Sequence, residues 1–201
     1  MKKLKSLLIV GCILFLITGC KDIFTRENVV IEYLSGKYYV EMSIVKYGKI
    51  ELELDADMAP ITVTNFMTLV REGKYDNTKI HRVAKDFVVQ GGQLDEEVDT
   101  IKGEFLANGK ENDISHVRGT ISMARAGDMT TGYDTASSQF FIVTKDSTSL
   151  DNYYAGFGKV TKGMDIIDRL NRKVTNVDEE SGTILDEKDM PVIEYIKEIE
   201  K

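Results

Sequence analysis

Hydrophobic and polar residues alternate along two adjacent stretches that begin near residue 40. Polar residues separate Val40, Met42 and Ile44, and the same alternation runs from 50 to 55 after a Tyr-Gly pair. A period of two places successive side chains on opposite faces of a strand. The pattern therefore predicts a β-hairpin with one buried face and one face in water.

Two other segments carry apolar residues at helical spacing. In the first, Pro60 opens a run with apolar side chains at positions 63, 66, 67 and 70, and Gly73 follows its end. Proline in the first turn and glycine just past the end are typical helix boundaries. The second segment, 164–170, has apolar residues at 164, 167 and 170. Each segment predicts a helix that buries one stripe.

Short apolar stretches separated by polar, glycine-containing loops predict further strands. These stretches are 87–93, 119–124, 139–144, 157–160 and 192–199. A polar, acidic loop at 175–189 precedes the last of them. Many short strands with two helices, and no regular alternation of strands with helices, predict a mainly β fold that closes into an antiparallel barrel.

The stretch 87–93, FVVQGGQ, lies a short distance after His81-Arg82. Its first three residues have the bulk and β-propensity of a buried strand, and its glycines indicate a bend or a close backbone approach. With the permanent charge of Arg82 beside it, the stretch is typical of a strand that leads into a cleft. The alternative is a core strand followed by a turn, with Arg82 as a surface charge.

The first 20 residues have the layout of a secretory signal. Three lysines precede an uncharged apolar run at 7–17 that is too short for a comfortable membrane span. The run ends in Ile-Thr-Gly-Cys20, which resembles the bacterial lipobox and implies cleavage before Cys20 and acylation of that cysteine. The alternative is an ordinary signal peptide or a short anchor helix.

These observations divide the chain into three parts. We expect a lipoprotein signal peptide at 1–19, a lipid-anchored tether at 20–36 and one folded domain at 37–201. The protein would then sit at the cell membrane, on its extracytoplasmic face, because two or more acyl chains on one residue hold a protein on a bilayer stably.

Composition excludes some classes of function. The net charge is −7 and the mature region has no basic cluster, which argues against a nucleic-acid partner. The chain has two cysteines, and only Cys20 remains once residues 1–19 are removed. No disulfide can then form within the mature chain, so the domain relies on its hydrophobic core, for which about 180 residues are sufficient.

Five motifs resemble those of the cyclophilins, the barrel-fold class of peptidyl-prolyl cis-trans isomerases, and follow one another in that family's order. The resemblance is to the bacterial lipoprotein form of the family. The motifs are TVTNF at 62–66, IHRVAKDFVVQGGQ at 80–93, GTISMARAG at 119–127, SSQFFIV at 137–143 and SLDNYYAGFGKV at 149–160. The resemblance runs from about 37 to 199. It implies a closed eight-stranded antiparallel β-barrel capped by two α-helices, and prolyl isomerase activity without a cofactor.

The resemblance also assigns site residues by position. It implies catalytic roles for Arg82 and Gln90. It implies a substrate-binding role for Phe87, Val88, Ala124, Arg125, Phe141, Leu150 and Tyr154. Three of these depart from the usual family pattern, which has methionine at Val88, asparagine at Arg125 and histidine at Tyr154. The change at Arg125 adds a cation beside the substrate groove.

The chemistry of prolyl isomerisation explains these residue types. The amide bond is twisted in the transition state and the barrier is about 18–20 kcal/mol, yet no proton has to move and no covalent bond breaks. An apolar pocket can grip the pyrrolidine ring. A donor such as Arg82 can bond the proline nitrogen, which becomes a good acceptor only in the twisted state.

Other chemistries fit the same residues poorly. His81 and His116, the only histidines, have no cysteine or carboxylate partner at ligand spacing, so no metal site is predicted. We expect a monomer whose partners are proline-containing unfolded or extended polypeptides. A second function class stays open, in which the domain is a surface-anchored peptide-binding module, a chaperone or adhesin without turnover.

Overall fold

The computed structural model describes residues 32–201, so Cys20, the predicted signal and most of the predicted tether lie outside the described residues. Two helices and eight strands follow one another in this part of the chain. They are β1 (Lys37–Ile44), β2 (Gly48–Asp55), α1 (Pro60–Arg71), β3 (Ile80–Ala84), β4 (Val88–Gly91), β5 (Thr120–Met123), β6 (Phe140–Val143), β7 (Gly156–Lys162), α2 (Met164–Lys173) and β8 (Ile193–Glu198).

All eight strands belong to one sheet with the order β3-β4-β6-β5-β7-β2-β1-β8. Every pairing in it is antiparallel, as predicted. The predicted hairpin is β1 and β2, in which Val40 pairs with Leu52 and Met42 with Ile50, all four buried. The other predicted strands correspond to β4 to β8. The sequence did not predict β3, which is short and contains two polar residues.

The sheet curls into a half-barrel that stays open between β3 and β8, so the prediction of a closed barrel is wrong. Within residues 32–201, an isolated bridge between Lys79 and Val192 joins the chain just before these two edge strands. Beyond it, β3 pairs with a different segment: the N–H of Val83 donates to the carbonyl of Gly182 at 2.8 Å. That pairing occupies the edge that a closed barrel would need for β8.

Both helices pack an apolar stripe against the sheet. The predicted core positions of α1, Val63, Phe66, Met67 and Val70, are all buried. The α1 N-terminus has no capping side chain of its own. Instead, the buried carboxylate of Glu104 accepts hydrogen bonds from the first-turn N–H groups at 61 and 62, at 3.1 and 2.8 Å, where the helix dipole favours an anion.

Helix α2 extends three residues past the predicted segment. Its predicted stripe is confirmed for Ile167 and Leu170, which are fully buried, while Met164 is only partly buried against the same core. No helix within 32–201 has the length and apolar character needed to cross a membrane.

Strands β4 and β6 are buried on both faces, unlike a strand with one wet side. Val89 and Ile142 belong to the main core inside the curl. Val88, Phe141 and Val143 belong to a second, smaller apolar cluster, which also contains Leu150 from the 3-10 turn Thr148–Leu150. Because successive residues of a strand point to opposite faces, this second cluster lies on the outer face of the sheet.

Candidate active site

A cavity of about 180 Å³ lies on the second apolar cluster. Its lining consists of the nine residues predicted from the sequence as catalytic or substrate-binding: Arg82, Phe87, Val88, Gln90, Ala124, Arg125, Phe141, Leu150 and Tyr154. Ligand pockets for drug-sized molecules have volumes of about 300 Å³ or more. The cavity is therefore suited to one small ring or side chain of a larger ligand.

The floor of the cavity is apolar and rigidly held. Phe141 is 5% exposed and Leu150 is 8% exposed, so neighbouring side chains hold most of each in place. The Tyr154 ring stands edge-on to Phe141, with the ring centroids 5.7 Å apart and an interplanar angle of 81°. Edge-to-face contacts of this kind fix the orientation of both rings.

Arg82 brings a cation to the rim of this floor. It lies on β3 directly opposite Gln90 on β4, and its Nη1 donates to Gln90 Oε1 at 3.1 Å. Its Nε donates to the carbonyl of Ser181 at 2.6 Å, and its guanidinium carbon is 5.7 Å from the centroid of the Phe87 ring. Partial burial lowers the pKa of Arg82, although arginine stays charged at any working pH.

Gln90 is itself held by a residue that the sequence analysis did not single out. The Nε2 of Gln90 donates to Oε1 of Gln139 at 3.0 Å. Gln139 directly precedes β6 and lies within the SSQFFIV motif, which was the only signal for it in the sequence. The arrangement is a chain of three polar side chains that ends at Arg82.

Arg125 lines the cavity, but its charge is engaged within the protein. The guanidinium carbon lies 4.6 Å from the centroid of the Tyr154 ring, 5.3 Å from that of Tyr133 and 5.5 Å from that of Phe105. Its Nη1 donates to the carbonyls of residues 128 and 131, at 2.7 and 2.6 Å. Arg125 thus holds the loop after β5 against the wall of the cavity.

His116 lies fully buried behind the cavity floor, and its ring stacks on Phe141 with the centroids 6.1 Å apart. Its Nδ1 bonds Asp151 Oδ1 at 2.9 Å and its Nε2 bonds Ser122 Oγ at 3.0 Å. Because a carboxylate only accepts, Nδ1 donates to Asp151 and the neutral ring accepts from Ser122. No carboxylate lies at ligand spacing from His116 in the sequence; its partner, Asp151, is 35 positions away in the chain but adjacent in space.

This Ser-His-Asp chain resembles a nucleophilic triad only in its composition. Ser122 has no exposed surface, so its hydroxyl does not reach the cavity or a substrate. Burial lowers the pKa of His116 and outweighs the opposing effect of Asp151. Burial favours the neutral acid at Asp151, but hydrogen bonds from Ser115 and His116 hold its pKa below the usual value.

The lowered pKa of His116 predicts a pH-dependent stability. Unfolding returns the ring to its ordinary pKa of 6.5, so the unfolded chain binds more protons just below that pH. The melting temperature should therefore fall as the pH drops below 6.5 and should not change from this cause above about pH 7.5. His116→Gln should flatten the slope in thermal melts.

Burial also lowers the pKa of His81. His81→Gln is therefore the matched variant with which the slope of His116→Gln is compared. If the slope in His116→Gln equals that of the wild-type protein, His116 does not titrate as the structure indicates.

A larger cleft of about 710 Å³ borders His81. Charged side chains at its rim pair with each other, as in the contact of 2.7 Å between Lys74 and Glu96 and the ion pair between Lys79 and Glu187. It has no apolar floor like that of the smaller cavity. Among residues 32–201, no group of three or more His, Cys, Asp or Glu side chains is placed to hold a metal ion.

Comparisons with known proteins agree on one family. The family model described as cyclophilin type peptidyl-prolyl cis-trans isomerase/CLD matches residues 39–193. Peptidyl-prolyl cis-trans isomerase A of Dickeya dadantii is 40% identical over 134 residues, which are 64% of this chain and 68% of the relative. A peptidyl-prolyl cis-trans isomerase of Acinetobacter baylyi is 39% identical over 137 residues, 65% of this chain and 70% of the relative.

The fold has a solved counterpart. The crystal structure of a cyclophilin type peptidyl-prolyl cis-trans isomerase of Cryptosporidium parvum covers 83% of this chain and 99% of its own, with a TM-score of 0.69 at 24% identity. The half-barrel of eight antiparallel strands with two helices is thus the fold of that solved structure. The chain belongs to the cyclophilin-type peptidyl-prolyl cis-trans isomerase family and is an enzyme of that type.

Proposed function

We propose that this enzyme isomerises X-Pro bonds in the 180 Å³ cavity, with Arg82 as the catalytic donor. Its substrates are proline-containing segments of unfolded or extended polypeptides. The observation that carries the proposal is the placement of a fixed guanidinium at the rim of a rigid apolar pocket. The nine lining residues supply a grip for a small apolar ring and a directed hydrogen-bond donor.

The three nitrogen atoms of Arg82 differ in their hydrogen bonds, which supports this role. Nε bonds Ser181 and Nη1 bonds Gln90, whereas Nη2 makes no hydrogen bond to the described part of the chain. Two of the three nitrogens thus fix the guanidinium plane. The third is left to donate to the substrate.

The proposed mechanism is preferential stabilisation of the twisted amide. In the planar ground state the proline nitrogen shares its lone pair with the carbonyl and is a poor acceptor. In the twisted state the lone pair is localised, and a hydrogen bond from Arg82 becomes stronger. A contact that strengthens only in the transition state raises the rate without tightening substrate binding. Phe141, Leu150 and Val88 hold the ring during the rotation.

Exchange spectroscopy on a short X-Pro peptide tests the assignment. Wild-type protein at substoichiometric concentration should raise the cis-trans exchange rate far above the uncatalysed value, which corresponds to tens to hundreds of seconds. Saturated binding with the exchange rate unchanged would favour the second candidate, a peptide-binding module without turnover.

We further propose that the enzyme assists the folding of exported proteins as a membrane-anchored lipoprotein. The support is the sequence pattern at residues 1–20, with a basic start, a short apolar run and Ile-Thr-Gly-Cys20 at its end. An acylated Cys20 would place a monomeric domain on the extracytoplasmic face of the cell membrane.

The anchor has a direct test in Cys20→Ala. We expect the wild-type protein to partition into detergent and to begin at a modified Cys20. The variant should be released to the aqueous phase or accumulate with residues 1–19 uncut, because the acceptor of the lipid is gone. Mass spectrometry of the mature N-terminus and detergent partitioning measure both effects. Normal processing and membrane binding of the variant would refute the lipid anchor.

A further inference from the structure

The polar loop at 175–189 returns to the active site and pairs with β3. The N–H of Val83 donates to the carbonyl of Gly182 at 2.8 Å, and the N–H of Ile184 donates to the carbonyl of His81 at 2.9 Å. Between these two bonds, Nε of Arg82 donates to the carbonyl of Ser181 at 2.6 Å. Gly182 and Ile184 are buried, Val177 and Asp186 are partly buried, and the other residues of the loop are exposed.

A tight turn at 178–183 presents the Ser181 carbonyl to Arg82. Asp178 organises it, because its Oδ1 accepts from both the backbone N–H and the hydroxyl of Ser181, each at 2.8 Å. Both the carbonyl and the N–H of Asp178 make hydrogen bonds across the turn. Its carbonyl accepts from the N–H of Gly182 and its N–H donates to the carbonyl of Thr183, both at 2.8 Å.

Gly182 allows this turn to pack directly against β3. Its φ of +75° lies in the left-handed region that favours glycine. A Cβ there would lie 2.7 Å from the Cα of Ala84, a distance that backbone atoms do not tolerate. The turn therefore lies as close to β3 as a polypeptide backbone can, which brings the Ser181 carbonyl within reach of Arg82.

A guanidinium group has a fixed orientation only when two of its nitrogen atoms are hydrogen-bonded. Arginine is long and has many rotamers, so a single bond from Nη1 to Gln90 would leave the plane free to rotate about that bond. The second bond, from Nε to Ser181, removes that rotation. Nη2 then has one direction in which to donate.

We propose that the 178–183 turn is a positioning element for Arg82, with Asp178 as its positioning residue. The inference rests on the proposed role of Arg82 as catalytic donor. Asp178 lies on the exposed surface and lines neither the cavity nor its rim. Its loss should therefore act on the rate of isomerisation and not on the grip on proline.

The matched pair of variants is Asp178→Ala and Asp186→Ala. Asp186 is a carboxylate of the same loop that accepts from the backbone N–H of Lys188 at 3.1 Å and has no contact with Arg82. Asp178→Ala should lower kcat by about tenfold or more, since small misplacements of a catalytic group cost this much, and change KM by less than about twofold. Asp186→Ala should match the wild-type protein.

A double-mutant cycle with Arg82→Ala shows whether the effect passes through the arginine. In the Arg82→Ala background, Asp178→Ala should cause no further loss of kcat, because the group that it positions is absent. An equal loss in both backgrounds would overturn the inference. So would wild-type kcat in Asp178→Ala while Arg82→Ala is slow, an outcome that leaves the proposed function standing. Full activity of Arg82→Ala itself would overturn both.

Gly182→Ala tests the same element by a different route. The added Cβ should push the turn away from β3. This should reduce kcat when Arg82 is present but not in the Arg82→Ala variant, with KM again little changed. Circular dichroism melts show whether each variant is folded. A folded Gly182→Ala protein with wild-type kcat would contradict the inference.

Discussion

Replacing Arg82 by alanine should slow catalysed isomerisation by about two to three powers of ten, or roughly 3–4 kcal/mol, and change peptide affinity much less. The substitution lowers the rate because the hydrogen-bond donor of Arg82 acts on the twisted amide. The proline ring is held by other residues. Exchange spectroscopy gives the rate and a peptide titration gives the affinity, both on the same protein preparation.

Arg82→Lys should recover little of the lost rate. An ammonium group is a point charge on a flexible stem, and it does not reproduce the planar fork that bonds Ser181 and Gln90 at once. The control is an unchanged circular dichroism spectrum and melting temperature for both variants. If lysine restores the wild-type rate, charge alone is sufficient and the directed geometry is not the cause of catalysis.

Phe141→Ala should weaken substrate binding and slow isomerisation together, in contrast to the arginine variants. Ground state and transition state share the pocket wall that this ring forms, so its loss reduces the affinity for both. The ring also packs against His116 and Tyr154 and is 5% exposed. We therefore expect a stability loss of about 3 kcal/mol.

Phe141→Leu is the matched variant, because it keeps an apolar side chain on β6 and should retain most of the stability. Urea unfolding measures the stability, and a peptide titration beside the exchange experiment measures the affinity and the rate. An alanine variant with wild-type peptide affinity would mean that the ring does not contact the bound proline.

Period-two alternation predicted the hairpin, short apolar stretches between polar loops predicted five further strands, and helical spacing predicted both helices, because these signals are local. The open edge was not predictable in this way. It depends on which of two distant segments, β8 or the 178–183 turn, pairs with β3. Nothing in the composition of β3 selects between them.

The residues that line the cavity could be predicted because short motifs place them at fixed positions along adjacent strands. Their partners could not. Asp151 meets His116 across 35 positions, and Ser181 meets Arg82 through a backbone carbonyl, which has no sequence signature. The orientation of Arg125 depends likewise on three rings that come from separate loops. The motifs therefore identified the groups in the cavity but not the contacts that orient them.

The two-sided burial of β4 and β6 gives the two faces of these strands different neighbours. Val89 and Ile142 face the main core, while their neighbours Val88 and Phe141 face the cavity. A replacement on the outer face changes the wall of the cavity, while Val89 and Ile142 keep their contacts with the main core. The outer face of these two strands is thus the place where the shape of the cavity can be altered by design while the inner core stays the same.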